Sequence, residues 1–368
     1  ECPLNEVSMK RVLVVLILFA GFSGVLNMSC TPKTGTAVRD VMSELLAAPA
    51  NFFDRPEEYI EWQTLQMLNV TKAALSNYPP TLPEPLERTM AMLMLDAVFH
   101  DVEAPNRPSV QSFHHQRALA ALHQIQNTKV SRGAMIWKLY NMGFIIRTQS
   151  LTVAFDVTRG LSSNSEAFSL SDRIIQEIAD QCDVLFISHR HDDHADLEVA
   201  RIFLDQGKPV VAPPDIWKGL PIYNQITHLE RKSHEKQLLP IQSGDLSLEV
   251  IVYPGHQGAD IANNVILIFT PEGISFCHTG DQSLMDDFAW IDGVGNNHKV
   301  DVLIPNCWTT DPKRSAEGYN PKLIIPAHEN ELGHSIDHRE AYALNYSRWN
   351  VPYPTLFMTW GESFHYKP

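Results

Sequence analysis

The 368 residues are 44% hydrophobic and 20% charged, enough for a sizeable globular core in one large or two modest domains. A formal net charge of −14 makes the chain a poor non-specific partner for nucleic acid or anionic lipid, so no nucleic-acid partner is expected.

The first element reads as a targeting segment. Met9-Lys10-Arg11 is a short positive region, residues 12–26 are apolar but too few to span a bilayer comfortably, and Ser29-Cys30 precedes a polar Thr31-Pro32-Lys33. Residues 1–30 resemble a bacterial lipoprotein signal with Cys30 as the lipidated residue. The resemblance implies a cell-envelope protein held at a membrane by a lipid anchor. A cleaved secretory signal or an uncleaved anchor is the alternative. Apart from Cys2 and Cys30, three cysteines remain, Cys182, Cys277 and Cys307; an odd number in apolar runs reads as buried free thiols.

Residues 31–133 read as a linker and a helical extension. Glu58, Tyr59, Trp62, Leu65, Leu68 and Val70 fall in one long amphipathic window, which Pro79-Pro80 and Pro83 end. A second helix is predicted over 85–102, with Leu86, Met90, Leu93, Met94 and Ala97 as its core-facing stripe, and a third over 109–125. His114 and His115 on that third helix read as packing or surface residues.

From residue 134 the pattern changes to short strands. Met135 to Leu139, Phe144 to Thr148 and Leu151 to Phe155 follow one another with turn residues between. A helix over 170–179 leads into the apolar Val184-Leu185-Phe186-Ile187, and helix and strand then alternate to the end of the chain.

The densest chemistry follows that strand. Ser188-His189-Arg190-His191-Asp192-Asp193-His194-Ala195-Asp196 packs three imidazoles and several carboxylates into one turn. Neutral imidazoles and carboxylates suit zinc, manganese or iron, and a sharp turn after a strand can aim several at one point. Further candidates stand at later strand ends: His256 in Tyr253-Pro254-Gly255-His256, Asp281 in Cys277-His278-Thr279-Gly280-Asp281, and His328 in Ile325-Pro326-Ala327-His328. Asp156 ends an earlier strand in the same manner and is expected to orient the histidine loop rather than to touch metal.

This ordered set resembles the metallo-β-lactamase-fold hydrolases. The resemblance implies an α/β fold over residues 134–368, a four-layer αββα sandwich with the N-terminal helical extension added. It implies a metal-dependent hydrolase holding two divalent metal ions, zinc or manganese, with iron also open. His189, His191 and His256 would hold one ion, Asp193, His194 and His328 the other, and Asp281 would bridge them. A metal-bound hydroxide would then cleave an ester-type bond: a phosphodiester, a lactone or a related ester in a small molecule or lipid. Asp193 could instead orient that hydroxide. The closest likeness is to the branch with ascorbate-6-phosphate lactonase and N-acyl-phosphatidylethanolamine phospholipase D. It rests on the His-x-His-x-Asp-His-x-Asp form, the Thr-Gly-Asp turn and the Pro-Ala-His ending.

Tyr140-Asn141-Met142-Gly143 departs from the Gly-His-Ala-like turn of many relatives, so no substrate contact is carried over from it. After the last ligand, His334 is the candidate substrate contact or proton donor, and His338 and Arg339 could bind an anionic group. Two other readings compete: a non-catalytic metal-binding envelope lipoprotein, and a β-lactam hydrolase. A di-iron oxidoreductase is disfavoured, because such enzymes carry a glutamate where His191 stands.

Overall fold

The computed structural model describes residues 52–160, 167–241 and 246–368. The signal segment, Cys30 and the linker up to residue 51 lie outside the described residues.

Among the described residues three helices come first: α1 (Pro56–Asn77), α2 (Leu86–Phe99) and α3 (Pro108–Asn127). α1 and α3 each open with a proline, whose fixed φ suits the first helical turn and whose missing N–H costs nothing there. On α2 the structure corrects the predicted face. Leu86 is 70% and Leu93 42% exposed, while Ala91, Met92, Leu95, Val98 and Phe99 are buried. α2 is apolar around most of its circumference, so periodicity alone could not choose a face. Two polar residues decided it. Arg88 turns inward to the Glu362 carboxylate and the Phe357 carbonyl, and Asp96 turns inward to three donors.

Among the described residues, twelve strands form two six-stranded sheets. The first is ordered β12-β1-β2-β3-β4-β5, from β1 (Ala134–Lys138), β2 (Phe144–Arg147), β3 (Thr152–Phe155), β4 (Val184–Phe186), β5 (Val210–Val211) and the C-terminal β12 (Glu362–Tyr366). The second is ordered β11-β10-β9-β8-β7-β6. Its strands are β6 (Gln237–Pro240), β7 (Ser247–Gln257), β8 (Ile261–Phe269), β9 (Ser275–His278), β10 (Val302–Ile304) and β11 (Leu323–Ile324). Ile136, Phe144, Val153 and Phe186 of one sheet meet Val250, Ile266, Phe276 and Ile304 of the other in a single apolar layer.

Helices cover both outer faces. α3, α4 (Asp172–Ala179) and α5 (Leu197–Asp205) pack through Leu122, Ile175, Val199 and Phe203 on Trp137, Ile145 and Leu185 of the first sheet. On the second sheet, Ile251, Leu267 and Cys277 share a cluster with α6 (Pro312–Tyr319), α7 (Tyr342–Arg348) and the inner face of α2. This is the four-layer αββα sandwich anticipated from the sequence. The short edge strands β6 and β12 and helices α6 and α7 were not anticipated. Each is brief, and β12 pairs with a strand at the other end of the domain, β1.

The topology gathers the chemistry. β3, β4 and β5 run parallel, as do β9, β10 and β11. Asp156, the histidine turn, Asp281 and His328 each follow the carboxyl end of one of these strands, so they collect at one edge of the sandwich.

Candidate metal centre

The histidine turn is fixed from beneath by Asp156. Its Oδ1 accepts the Ser188 N–H at 2.7 Å, and its Oδ2 accepts the Ser188 hydroxyl at 2.6 Å and His194 Nδ1 at 2.8 Å. With Nδ1 donating to Asp156, His194 presents Nε2 as its free nitrogen. The Ser188 hydroxyl also lies 3.0 Å from His189 Nδ1. Asp196 closes the turn: it caps α5 by accepting from the Glu198 and Val199 amides and takes Arg159 Nε at 2.9 Å.

Asp281 is set opposite. Gly280 has φ +50, and a Cβ on it would collide with Ser188 and the Asn263 side chain. Glycine therefore lets the turn after β9 press against the histidine turn. The Asp281 amide donates to Asn263 Oδ1 at 3.0 Å, and Gln257 Nε2 reaches its Oδ2 at 3.2 Å.

Around Asp281 Oδ2 stand three imidazole nitrogens: His189 Nε2 at 3.5 Å, His194 Nε2 at 3.4 Å and His328 Nε2 at 3.4 Å. Asp193 Oδ2 lies 3.1 Å from His194 Nε2 and 3.2 Å from His328 Nε2. Ligand atoms converge in two groups, His189–His194–Asp281 and Asp193–His194–His328. All three Nε2 atoms and Asp281 Oδ1 are buried and make no hydrogen bond. Buried polar atoms left this way are costly unless something binds them. Two donors about 2.0–2.1 Å from one tetrahedral zinc lie roughly 3.4 Å apart, so the spacing fits a shared cation.

The charge balance agrees. Burial would raise the Asp193 and Asp281 carboxyls, but the neighbouring imidazoles outweigh it and hold both well below the usual range. Burial opposes charge on His328, yet Asp281 and Asp193 push its pKa up to about 10. His189, deeper and beside His194, is driven down to about 3 by burial. A buried carboxylate, Asp281, and a half-buried one, Asp193, facing imidazoles make a site that favours added positive charge.

Two of the candidate ligands stand apart from these groups. The half-buried His191 ring is centred 4.8 Å from that of His189. His256 is held by Asp287, which accepts its Nδ1 at 2.9 Å and its amide at 2.8 Å. That bond leaves His256 Nε2 as the free nitrogen, the carboxylate–histidine arrangement common behind metal ligands. His278 makes a buried contact with the Met142 carbonyl at 3.0 Å and stacks on Phe155. Cys277 lies in the apolar cluster outside the second sheet, and burial raises its pKa.

The loop after His328 differs from its sequence reading in one respect. The Arg339 guanidinium is not available to an anion, because it donates to the carbonyls of Phe99, Asp101, Leu332 and His334. His338 is exposed. His334 sits at the rim, its ring stacked 5.6 Å from that of His328 and its amide held by Glu331 at 2.9 Å. Glu329 pairs with Lys138 in full burial, and Glu331 accepts from the Tyr140 hydroxyl at 3.0 Å.

Sequence reasoning missed Asn141, whose amide donates to Asp193 Oδ2 at 2.7 Å from a left-handed φ of +54. The unusual turn containing it was the available signal. It also missed Asp287 and Trp308, the latter with its ring 5.8 Å from that of His328. Neither belongs to a dense motif.

A family model described as the beta-lactamase superfamily domain matches residues 135–328. A metal-dependent hydrolase of Thermodesulfovibrio yellowstonii is 26% identical over 175 residues, which is 40% of this chain and 61% of that protein. The match therefore spans about three-fifths of the relative's length. Among solved structures, Igni18, a metallo hydrolase from Ignicoccus hospitalis, aligns with 64% of this chain and 99% of its own at 17% identity and a TM-score of 0.47. CmlA, a diiron beta-hydroxylase from Streptomyces venezuelae, aligns with 64% of this chain and 55% of its own at 15% identity and a TM-score of 0.44.

Proposed function

The chain belongs to the metallo-β-lactamase superfamily of metal-dependent hydrolases, and from that premise we propose that it uses two divalent ions to hydrolyse an ester-type bond. One observation carries the proposal: three buried imidazole nitrogens, none of them hydrogen-bonded, stand 3.4–3.5 Å from one Asp281 oxygen. Bound zinc or manganese would supply Lewis acidity toward the scissile bond and lower the pKa of a water at the site.

The residues divide the remaining work. His189, His194 and Asp281 form one ligand group, and Asp193, His194 and His328 form a second. We assign His191 and His256 to the first ion as outer ligands, His256 with its ring set by Asp287. Asp156 fixes His194, and Asn141 fixes Asp193. In place of ligation, Asp193 could orient the attacking water. His334, on the rim beside His328, is the proton donor to the leaving group. Its Nδ1 donates to the His338 carbonyl at 3.3 Å, so Nε2 faces substrate and gives up a proton from the doubly protonated ring.

Phosphodiester and lactone are the two substrate classes in view, in keeping with the phospholipase-like and lactonase-like branch. Cell-envelope location through Cys30 belongs to the same proposal. The deciding experiment is turnover by the chain loaded separately with zinc and with manganese, offered a phosphodiester and a sugar lactone side by side. Hydrolysis of either, abolished by His189→Ala, is the expected result. Stoichiometric metal binding with no hydrolysis of any ester would favour the non-catalytic metal-binding reading.

A further inference from the structure

The helical extension meets the last-ligand loop at one carboxylate. Asp96 on α2 is 9% exposed and accepts from Asn330 Nδ2 at 2.9 Å, the Tyr342 amide at 2.8 Å and the Ala343 amide at 2.9 Å. Asn330 lies two residues past His328, and Tyr342 opens α7. One side chain thus clamps both ends of the segment 330–342. The Asn330 amide closes the same segment internally on the Glu340 carbonyl at 2.9 Å.

This backbone needs holding. His328 has φ +79 and Asn330 φ +52, left-handed conformations that a non-glycine residue keeps only when its surroundings enforce them. The next turn of α2 adds to the enforcement. His100 Nε2 meets the Arg339 carbonyl at 2.9 Å, and the Arg339 guanidinium donates to the Phe99 and Asp101 carbonyls.

We propose that Asp96 is a positioning residue for the metal centre. By clamping Asn330 and the start of α7, it fixes the backbone that aims His328 Nε2 at Asp193 and Asp281. The inference rests on the metal-centre reading above. The extension is then part of the site's machinery rather than an outer layer, although it supplies no ligand to either group.

The test is calorimetric titration of zinc into the metal-free full chain, with the visible spectrum of the cobalt form recorded alongside. Asp96→Asn and Asn330→Gly should each weaken one ion about 10–100-fold, the usual effect of removing a group that orients a ligand, and shift the cobalt bands. The second ion should bind as before. Asn330→Gly is the sharper variant, because glycine keeps the left-handed backbone and loses only the side-chain bond. It decides alone if Asp96→Asn does not fold. Glu61→Gln, whose carboxylate accepts from Ser109 within the extension, should leave both affinities unchanged. Wild-type affinity and spectrum in both variants would overturn this inference alone. A wild-type chain that binds no divalent ion would overturn the metal-centre reading and this inference with it.

Discussion

Two loops bring histidines to the same point, and they are held in opposite ways. The turn 188–196 is fixed by its neighbours: Asp156 comes from the adjacent strand β3, and Asp196 caps the helix that follows. The loop after His328 is tied to the end of β1 through Lys138 and Tyr140, and it is also fixed from outside the sandwich, by Asp96 on α2 and by His100 and carbonyls at the end of that helix. The first loop keeps its geometry wherever β3, β4 and α5 assemble. The second needs, besides the sheet, a separate helical layer. Density of side chains thus marks where ligands come from, whereas long-range bonds decide how well one of them is aimed.

The largest expected effect lies where the two loops meet. Asp281→Ala removes the one carboxylate oxygen that faces His189, His194 and His328 together. It should cost roughly 10³-fold or more in turnover, the equivalent of several kcal/mol of lost charge stabilisation, with metal content falling in elemental analysis. If the variant keeps two ions and full turnover, the two loops do not share a centre. Asp156→Asn should act next, through the local loop alone. Its amide can no longer accept from both Ser188 and His194, so metal affinity should fall about 10–100-fold. Competition with a chelator reads this directly. An effect confined to Asp281 would mean that the histidine turn is rigid without its carboxylate.

The same contrast explains what the sequence made legible. His189, Asp193 and His194 could be found because five ligand-type residues share six positions, and a strand-ending aspartate pointed to Asp156. Asp281 and His328 each followed a short apolar strand, so the four-layer sandwich and its ligand edge could be read together. Asn330 and Glu329 could not be assigned, because their partners Asp96 and Lys138 lie 234 and 191 positions earlier. Arg339 resembled an anion-binding group in the sequence for the same reason. Nothing local shows that four carbonyls consume its guanidinium.

Acid should separate the extension from the site more gently. His114 on α3 is fully buried, stacked 4.3 Å from the Phe168 ring and 5.3 Å from that of Tyr140, the residue that holds Glu331. Burial drives its pKa down to about 3. Between an unfolded value near 6.5 and that folded value, the unfolded chain binds a proton that the folded chain refuses. Stability therefore falls as pH drops through this window, by at most about 1.4 kcal/mol per pH unit from this group. His114→Phe keeps a ring beside Phe168 and removes the titration. Urea melts at pH 7 and pH 4 should show the variant losing less stability than the wild type. Equal acid losses would show that His114 is protonated, or solvated, in the folded chain.

The smallest expected effect sharpens the comparison at its base, on the face of α2. Leu86 and Leu93 belong to the stripe that periodicity selects, yet they are 70% and 42% exposed, whereas Leu95, one position outside that stripe, is fully buried. Leu86→Ser should change stability by less than about 0.5 kcal/mol, as surface substitutions do. Leu95→Ala should cost about 2–5 kcal/mol, because it opens a cavity beneath the helix that carries Asp96. The order of these two values is the informative quantity. If Leu86→Ser proved the more damaging, α2 would be rotated relative to the sandwich. Asp96 would then no longer face Asn330, and the late loop would keep only the bonds that Lys138 and Tyr140 give it from the end of β1.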